Sequence, residues 1–153
     1  MSDIFSKLIA VVLAFILCIV APVTVNLMTD DMSSRRLIFN EMTTFIDEVI
    51  DVGQITEAQL KDFYYGISSY GPACSVQIYR YIRTVQVDEH NNTYTVYLPQ
   101  DITTTTLPIK FNQGDLIKVH VSATHYTGAQ QVGQFILGQS FKPIDYSLSG
   151  RVR

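Results

Sequence analysis

FIDEVIDVGQITEAQLKDFYYGISSYGPACSVQIYRYIRTVQV, residues 45–87, restarts its hydrophobic pattern once and changes its period once, and the fold class follows from where those breaks fall. Its first part continues a stripe. From residue 37 the apolar positions Ile38, Met42, Phe45, Val49 and Val52 recur at steps of four, three, four and three, the spacing of one helix face. Leu37, Ile46 and Ile50 widen that face, Glu41, Asp47, Glu48 and Asp51 fill the remainder, and Gly53 stands where a helix ends on a left-handed residue. The pattern then restarts. Thr56 followed by Gln59 has the spacing of a capping box, with Thr56 as cap, and Ile55 with Leu60 has that of a hydrophobic staple. Leu60, Phe63, Tyr64 and Ile67 form the stripe of a second, short helix that runs to about Ser69 and stops at Gly71-Pro72.

After Pro72 the period drops to two. Residues 73–87 are rich in β-branched and aromatic side chains and read as a long strand; DEHNN, 88–92, is a turn, and TYTVYL, 93–98, is the returning strand of a hairpin. A Thr-rich loop over 101–108 leads through IKF to the turn signal Gly114-Asp115. LIKVHVSA, 116–123, then sets Ile117, Val119 and Val121 against Lys118, His120 and Ser122, one face for a core and one for water. Residues 126–142 carry Gly128, Gly133 and Gly138 among apolar positions, which points to one short helix or an irregular covering loop. IDYSLSGRV, 144–152, reads as a last strand. The class expected is α+β, with two helices followed by a mainly antiparallel sheet.

Upstream the composition is different. At 153 residues, 47% hydrophobic and only 16% charged, the chain is apolar for a single soluble domain, and the excess lies at its start. Residues 8–23, LIAVVLAFILCIVAPV, contain no charge, and Ile4, Phe5, Val25, Leu27 and Met28 extend the run far enough to cross roughly 30 Å of hydrocarbon at about 1.5 Å per residue. A cleaved signal peptide is the rival reading. Ala21 is followed by Pro22 and preceded two positions earlier by Ile19, so the small-x-small cleavage pattern is missing, and a retained anchor is expected. Lys7 on one side is matched by Arg35 and Arg36 on the other, so charge alone does not orient the span. Short N-terminal tails usually stay in the cytoplasm when a folded domain follows, which places residues 29–153 outside a cell membrane crossed once. The expected organisation is a transmembrane anchor over 1–28, an amphipathic stalk helix over 29–52 and an extracytoplasmic α+β domain over 53–153.

Chemistry-bearing patterns are sparse. The glycines form no nucleotide-binding loop, and no Ser sits in a glycine-flanked elbow. His90, His120 and His125 are the histidines, and none comes with enough ligands at metal spacing. Cys18 lies in the anchor and Cys74 at a strand start, so no disulfide framework is expected, and Cys74 reads as a small buried residue. No catalytic residue, cofactor or metal is expected. The unusual resource is tyrosine: Tyr64, Tyr65 and Tyr70 precede the sheet, and Tyr79, Tyr81, Tyr94 and Tyr97 lie on its first hairpin. Tyr79, Arg80 and Tyr81 are the candidate interface residues, with the two rings on one strand face and Arg80 on the other. Residues 37–71 hold six acidic side chains against Lys61, whereas 72–153 hold seven basic against five acidic, opposite signs suited to steered association. The net charge of -3 argues against nucleic acid as a partner.

F-x-D-x-V-x-x-x-G-x-I-T-x-x-x-x-x-x-F over 45–63, Gly71, SVQIY over 75–79, GDLIKVHV over 114–121, GQFILGQSF over 133–141 and the closing SGRV over 149–152 follow an apolar anchor and an amphipathic helix. In that order they resemble small membrane-anchored, pilin-like proteins of the tight-adherence, type IV-related pilus systems of Gram-positive bacteria, over most of residues 37–152. The resemblance implies a structural subunit whose partners are the lipid bilayer and other subunits of a surface assembly, copies of itself included. One departure bears on role. Type IV-related pilins carry a glycine before the processing site and a glutamate five residues beyond it, and MSDIFSKLIAVV has neither, which points to an unprocessed minor or accessory component. The alternative is a membrane-tethered sensor or ligand-binding module, which needs a concave apolar pocket with a few convergent polar groups.

Overall fold

The computed structural model describes residues 2–69, 71–138 and 142–153, with the backbone alone for Ser2, Asp3, Ile136 and Leu137. Tyr70, Met1 of the expected anchor and residues 139–141 of the expected covering segment lie outside the described residues. The chain opens with a helical rod of three parts: α1 (Ser2–Phe15), a π-helical turn (Ile16–Val20) and α2 (Ala21–Val52). The π turn has a cause in the sequence. Pro22 has no N–H to give to the carbonyl four residues back, and its ring crowds that carbonyl. Widening the preceding turn, so that the Ala21 amide bonds to Ile16 O, relieves the crowding and lets the helix continue. Residues 4–19 are exposed on every side, and from Leu8 onward they carry no charge. By length and composition this first half of the rod is a candidate membrane span, and its apolar window is not buried among the described residues, unlike the core helix of a soluble protein.

The second half of the rod is the centre of the domain. Ile38, Met42, Phe45, Ile46 and Val49 are buried along one side of α2, which ends at Gly53 (φ 70°) with the Gly53 amide on Val49 O at 2.8 Å. The chain then makes β1 (Gln54–Ile55), α3 (Glu57–Ser69), β2 (Cys74–Val87), β3 (Thr93–Asp101), β4 (Ile109–Lys110), β5 (Leu116–Ala123), α4 (Gly128–Leu137) and β6 (Asp145–Arg151). β2, β3, β5 and β6 form an antiparallel sheet in the order β3-β2-β5-β6, and β1 pairs with β4 beside it. Val76 and Ile78 of β2 and Ile117, Val119 and Val121 of β5 face α2, as their alternation requires. β6 comes so near to α2 that a Cβ at Gly150 would collide with Ile50 and Ile46, so glycine is what permits the approach. α3 flanks the same helix through Phe63, whose ring stacks on Phe45 at 4.4 Å, and through Ile67. At its start the Thr56 amide donates to Gln59 Oε1 at 3.0 Å and the Gln59 amide to Thr56 Oγ1 at 3.3 Å.

This is the α+β architecture that the change of period implies. The amphipathic helix continues directly from the apolar one, as expected, since α2 begins at Ala21. Two details go beyond the sequence reading. β3 runs on to Asp101 through Pro99, which an edge strand tolerates. Residues 126–142 contain a true helix, α4, because Thr127 and Gln130 form a reciprocal capping box and Gly138 (φ 63°) closes the other end, which offsets the cost of Gly133 inside it.

Met42, fully buried on α2, and Met32, 72% exposed on the same helix, give a controlled pair. Met42→Ala is expected to cost about 2–5 kcal/mol and Met32→Ala less than about 0.5 kcal/mol. The comparison is made by urea denaturation of the detergent-solubilised chain; equal midpoint shifts would contradict the packing described.

Candidate interaction surface

The side chain that organises the end of the sheet far from the candidate span is Asp115, 1% exposed and set just before β5. Arg80 lies on β2 two residues after Ile78, on the face that meets the core, where a cation requires a counter-ion. Its Nε and Nη2 both donate to Asp115 Oδ2, the former at 2.9 Å, and its guanidinium lies 5.3 Å from the centre of the Phe111 ring. The carboxylate also accepts from the Arg83 amide at 3.1 Å and the Asn112 amide at 3.0 Å. The Arg83 amide is the donor that β5 would have served had it begun earlier. Asp115 therefore finishes the β2–β5 ladder with a side chain, while its own backbone holds Val152 through an amide-to-carbonyl bond of 2.9 Å. Burial pushes the carboxyl up; the Arg83 amide, the Arg80 guanidinium and the Asn112 amide outweigh it and hold the group below the ordinary carboxylate range.

Beyond Tyr81 the sheet narrows. β5 pairs with β2 as far as Tyr81, but β2 and β3 stay paired out to Val87 and Thr93, so residues 82–87 and 93–98 form a two-stranded arm about 20 Å long. It points away from the candidate span, because this end of the sheet joins Gly53 at the far end of α2. Asn91 (φ 62°) closes the tip, with its amide on Asp88 O at 2.9 Å. Val85 and Val87 are each 59% exposed on one side of the arm, and Tyr94 and Leu98 are exposed on the other. The Tyr94 hydroxyl reaches Gln86 Oε1, directly across the pair, at 3.1 Å.

Of the three expected interface residues, the structure separates one from the other two. Tyr79 and Tyr81 lie on the outer face of the sheet, turned away from α2 and half-buried by their own neighbours. Tyr79 is flanked by Asp101 and Lys118 in register, Tyr81 by Pro99 and Leu116. The described residues place no helix over this face. Arg80 is the correction: it lies under the sheet with its charge engaged by Asp115, so it is a structural cation and not a surface contact. In the sequence, Gly114-Asp115 reads as a turn alone. The signal for the pair was present in the alternation, since Arg80 shares parity with Val76 and Ile78.

Among the described residues no group of three or more His, Cys, Asp or Glu side chains is placed to hold a metal ion. Burial pushes the Cys74 thiol up, and its Sγ lies 3.2 Å from Pro72 O, which leaves it a poor nucleophile. A groove of about 350 Å³ runs along α3 between Leu60, Lys61, Tyr64, Tyr65 and Leu107. No protein-family model matches the chain, and no curated protein or solved structure matches it either.

Removing Asp115 strands Arg80 and two backbone donors, so Asp115→Ala is expected to cost about 3–5 kcal/mol. Arg80→Met should cost less, because the carboxylate keeps both amides. The pH dependence has a definite sign: a carboxyl whose folded pKa is depressed contributes stability above its unfolded value of about 3.9 and loses it as the pH falls through the lower folded value. Denaturation midpoints of the wild type should thus fall in acid more steeply than those of Asp115→Asn; parallel curves would contradict the assignment.

Proposed function

We propose that the protein is a membrane-anchored, pilin-like minor or accessory subunit of a surface pilus or secretion-type assembly, a single-pass protein whose α+β domain lies outside the cell membrane. It acts through protein–protein contacts and not as an enzyme. The observation that carries this reading is the rod Ile4–Val52: its first half is apolar and unpacked, its second half is the core of the domain, and no linker separates them. A tethered catalyst gains from a flexible linker, whereas a subunit that must pass its anchor's position on to its neighbours gains from a rigid one. The open outer face with Tyr79, Tyr81 and Tyr97, and the distal arm, supply the aromatic surface such contacts favour.

The groove along α3 favours a second reading, a tethered sensor or ligand-binding module, since about 350 Å³ is at the small end of ligand pockets. A photo-crosslinking amino acid at Tyr81, in the full chain in its native membrane, discriminates the two. The assembly reading expects adducts with neighbouring subunits, and an outer-face probe that captures nothing would favour the sensor. Intact-mass measurement of the mature chain should find residues 4–28 present; a terminus near Pro22 would remove the anchor.

A further inference from the structure

α4 is fastened to α2 where the rod leaves its apolar stretch. The Thr127 hydroxyl donates to Asp31 Oδ1 at 2.7 Å, and Asp31 stands three residues past Met28, about 5 Å along the helix. Arg35 Nη2 and Gln130 Nε2 both donate to Lys142 O, at 2.9 and 3.4 Å, which fixes the segment after α4 to the same turn. Ala129, Gln130 and Gly133 are the buried side of α4. Between the helices lies a groove of about 310 Å³ with Met28, Met32 and Ala129 along it and Asp31, Arg35 and Lys142 at its rim.

The opposite side of α4 carries Phe135, 91% exposed. Isolated exposed apolar residues are ordinary on a protein surface. This one projects from a short helix fastened beside the end of a candidate span, where Met32 is also exposed and Lys142 stands at the rim of the groove, while Arg35 is already paired with Asp31 at 2.8 Å. Exposed apolar side chains beside a span, with a lysine near them, are what a segment resting in the headgroup region presents.

We propose that α4 is a membrane-resting foot: Phe135 and Met32 enter the headgroup–acyl boundary of the phospholipid bilayer, with Lys142 at phosphate level. The proposal rests on the anchored reading above. A rod alone leaves the domain free to tilt and rotate on the bilayer, and a second contact beside it fixes which way the outer face of the sheet points.

The chain contains no tryptophan, so one introduced residue reports alone. Phe135→Trp is compared with Val12→Trp, within the apolar run, each in the full-length chain reconstituted into dilute phosphatidylcholine vesicles, with and without lipid brominated near the headgroup end of the acyl chain. Aqueous iodide is the second quencher. The proposal expects brominated lipid to remove most of the fluorescence at position 135 while iodide has little effect there. Quenching of position 135 by iodide, with position 12 quenched by lipid, overturns the foot and leaves the anchor standing. Position 135 shielded from both quenchers places the ring against protein and overturns it equally. Failure of lipid to quench position 12 removes the anchored reading, and the foot with it.

Discussion

One helix has to satisfy two different surroundings, and the other elements are arranged around that requirement. Through residues 8–19 the rod is apolar on all sides and exposed among the described residues; from Ile38 it is amphipathic and buries five side chains. A break between the halves would make them independent, and Pro22 is the residue able to cause one. The π turn absorbs it instead. The domain's core is consequently built on an extension of the candidate span, and Gly53 marks the first point at which the backbone leaves the helix axis.

The sheet meets α2 with one face only, and the Asp115 cluster sets where its four-stranded part ends. An ion pair under a sheet offers little net stabilisation compared with apolar packing. Its specific contribution is local: the carboxylate takes the Arg83 amide where β5 has not yet begun and leaves β2 free to continue with β3 alone. An apolar residue at position 115 would fill the space but leave two amides without acceptors. Arg80 then neutralises a carboxylate that is buried for the sake of backbone hydrogen bonds.

The helix stripes and strand alternation were legible because each depends on neighbours close in sequence: Ile38 to Val49 at helical steps, Ile117 to Val121 at steps of two, and Thr56 with Gln59 three apart. The pairing of Arg80 with Asp115 spans 35 residues, and local pattern does not reveal which acid answers a cation placed at a core position. The short β1–β4 pair escaped for the same reason, since two-residue strands have no period to read. α4 is ambiguous in sequence because three glycines weigh against a helix, whereas the capping box that Thr127 and Gln130 form at its start favours one. For the candidate surface, sequence placed Tyr79 and Tyr81 on a common face correctly; only packing could tell that this face is the outer one.

The open surfaces also bear on how neighbours would meet this subunit in the proposed assembly. β3 is a free edge, yet Pro99 interrupts its donors opposite Tyr81, the register at which β2 also loses β5 as a companion. A strand added there would forfeit a hydrogen bond where the ladder has least support. The faces carry no such penalty: Tyr79, Tyr81 and Tyr97 are already set by cross-strand neighbours and lose little side-chain freedom on contact. Two-stranded ribbons are marginal in water, so the arm over 82–98 gains order from whatever covers Val85 and Val87 or Tyr94 and Leu98. Contact through a sheet face and along the arm, not by extension of the sheet, is the mode of association this geometry favours. It also suits subunits standing side by side on a membrane, since the arm runs in the same direction as the rod that supports it.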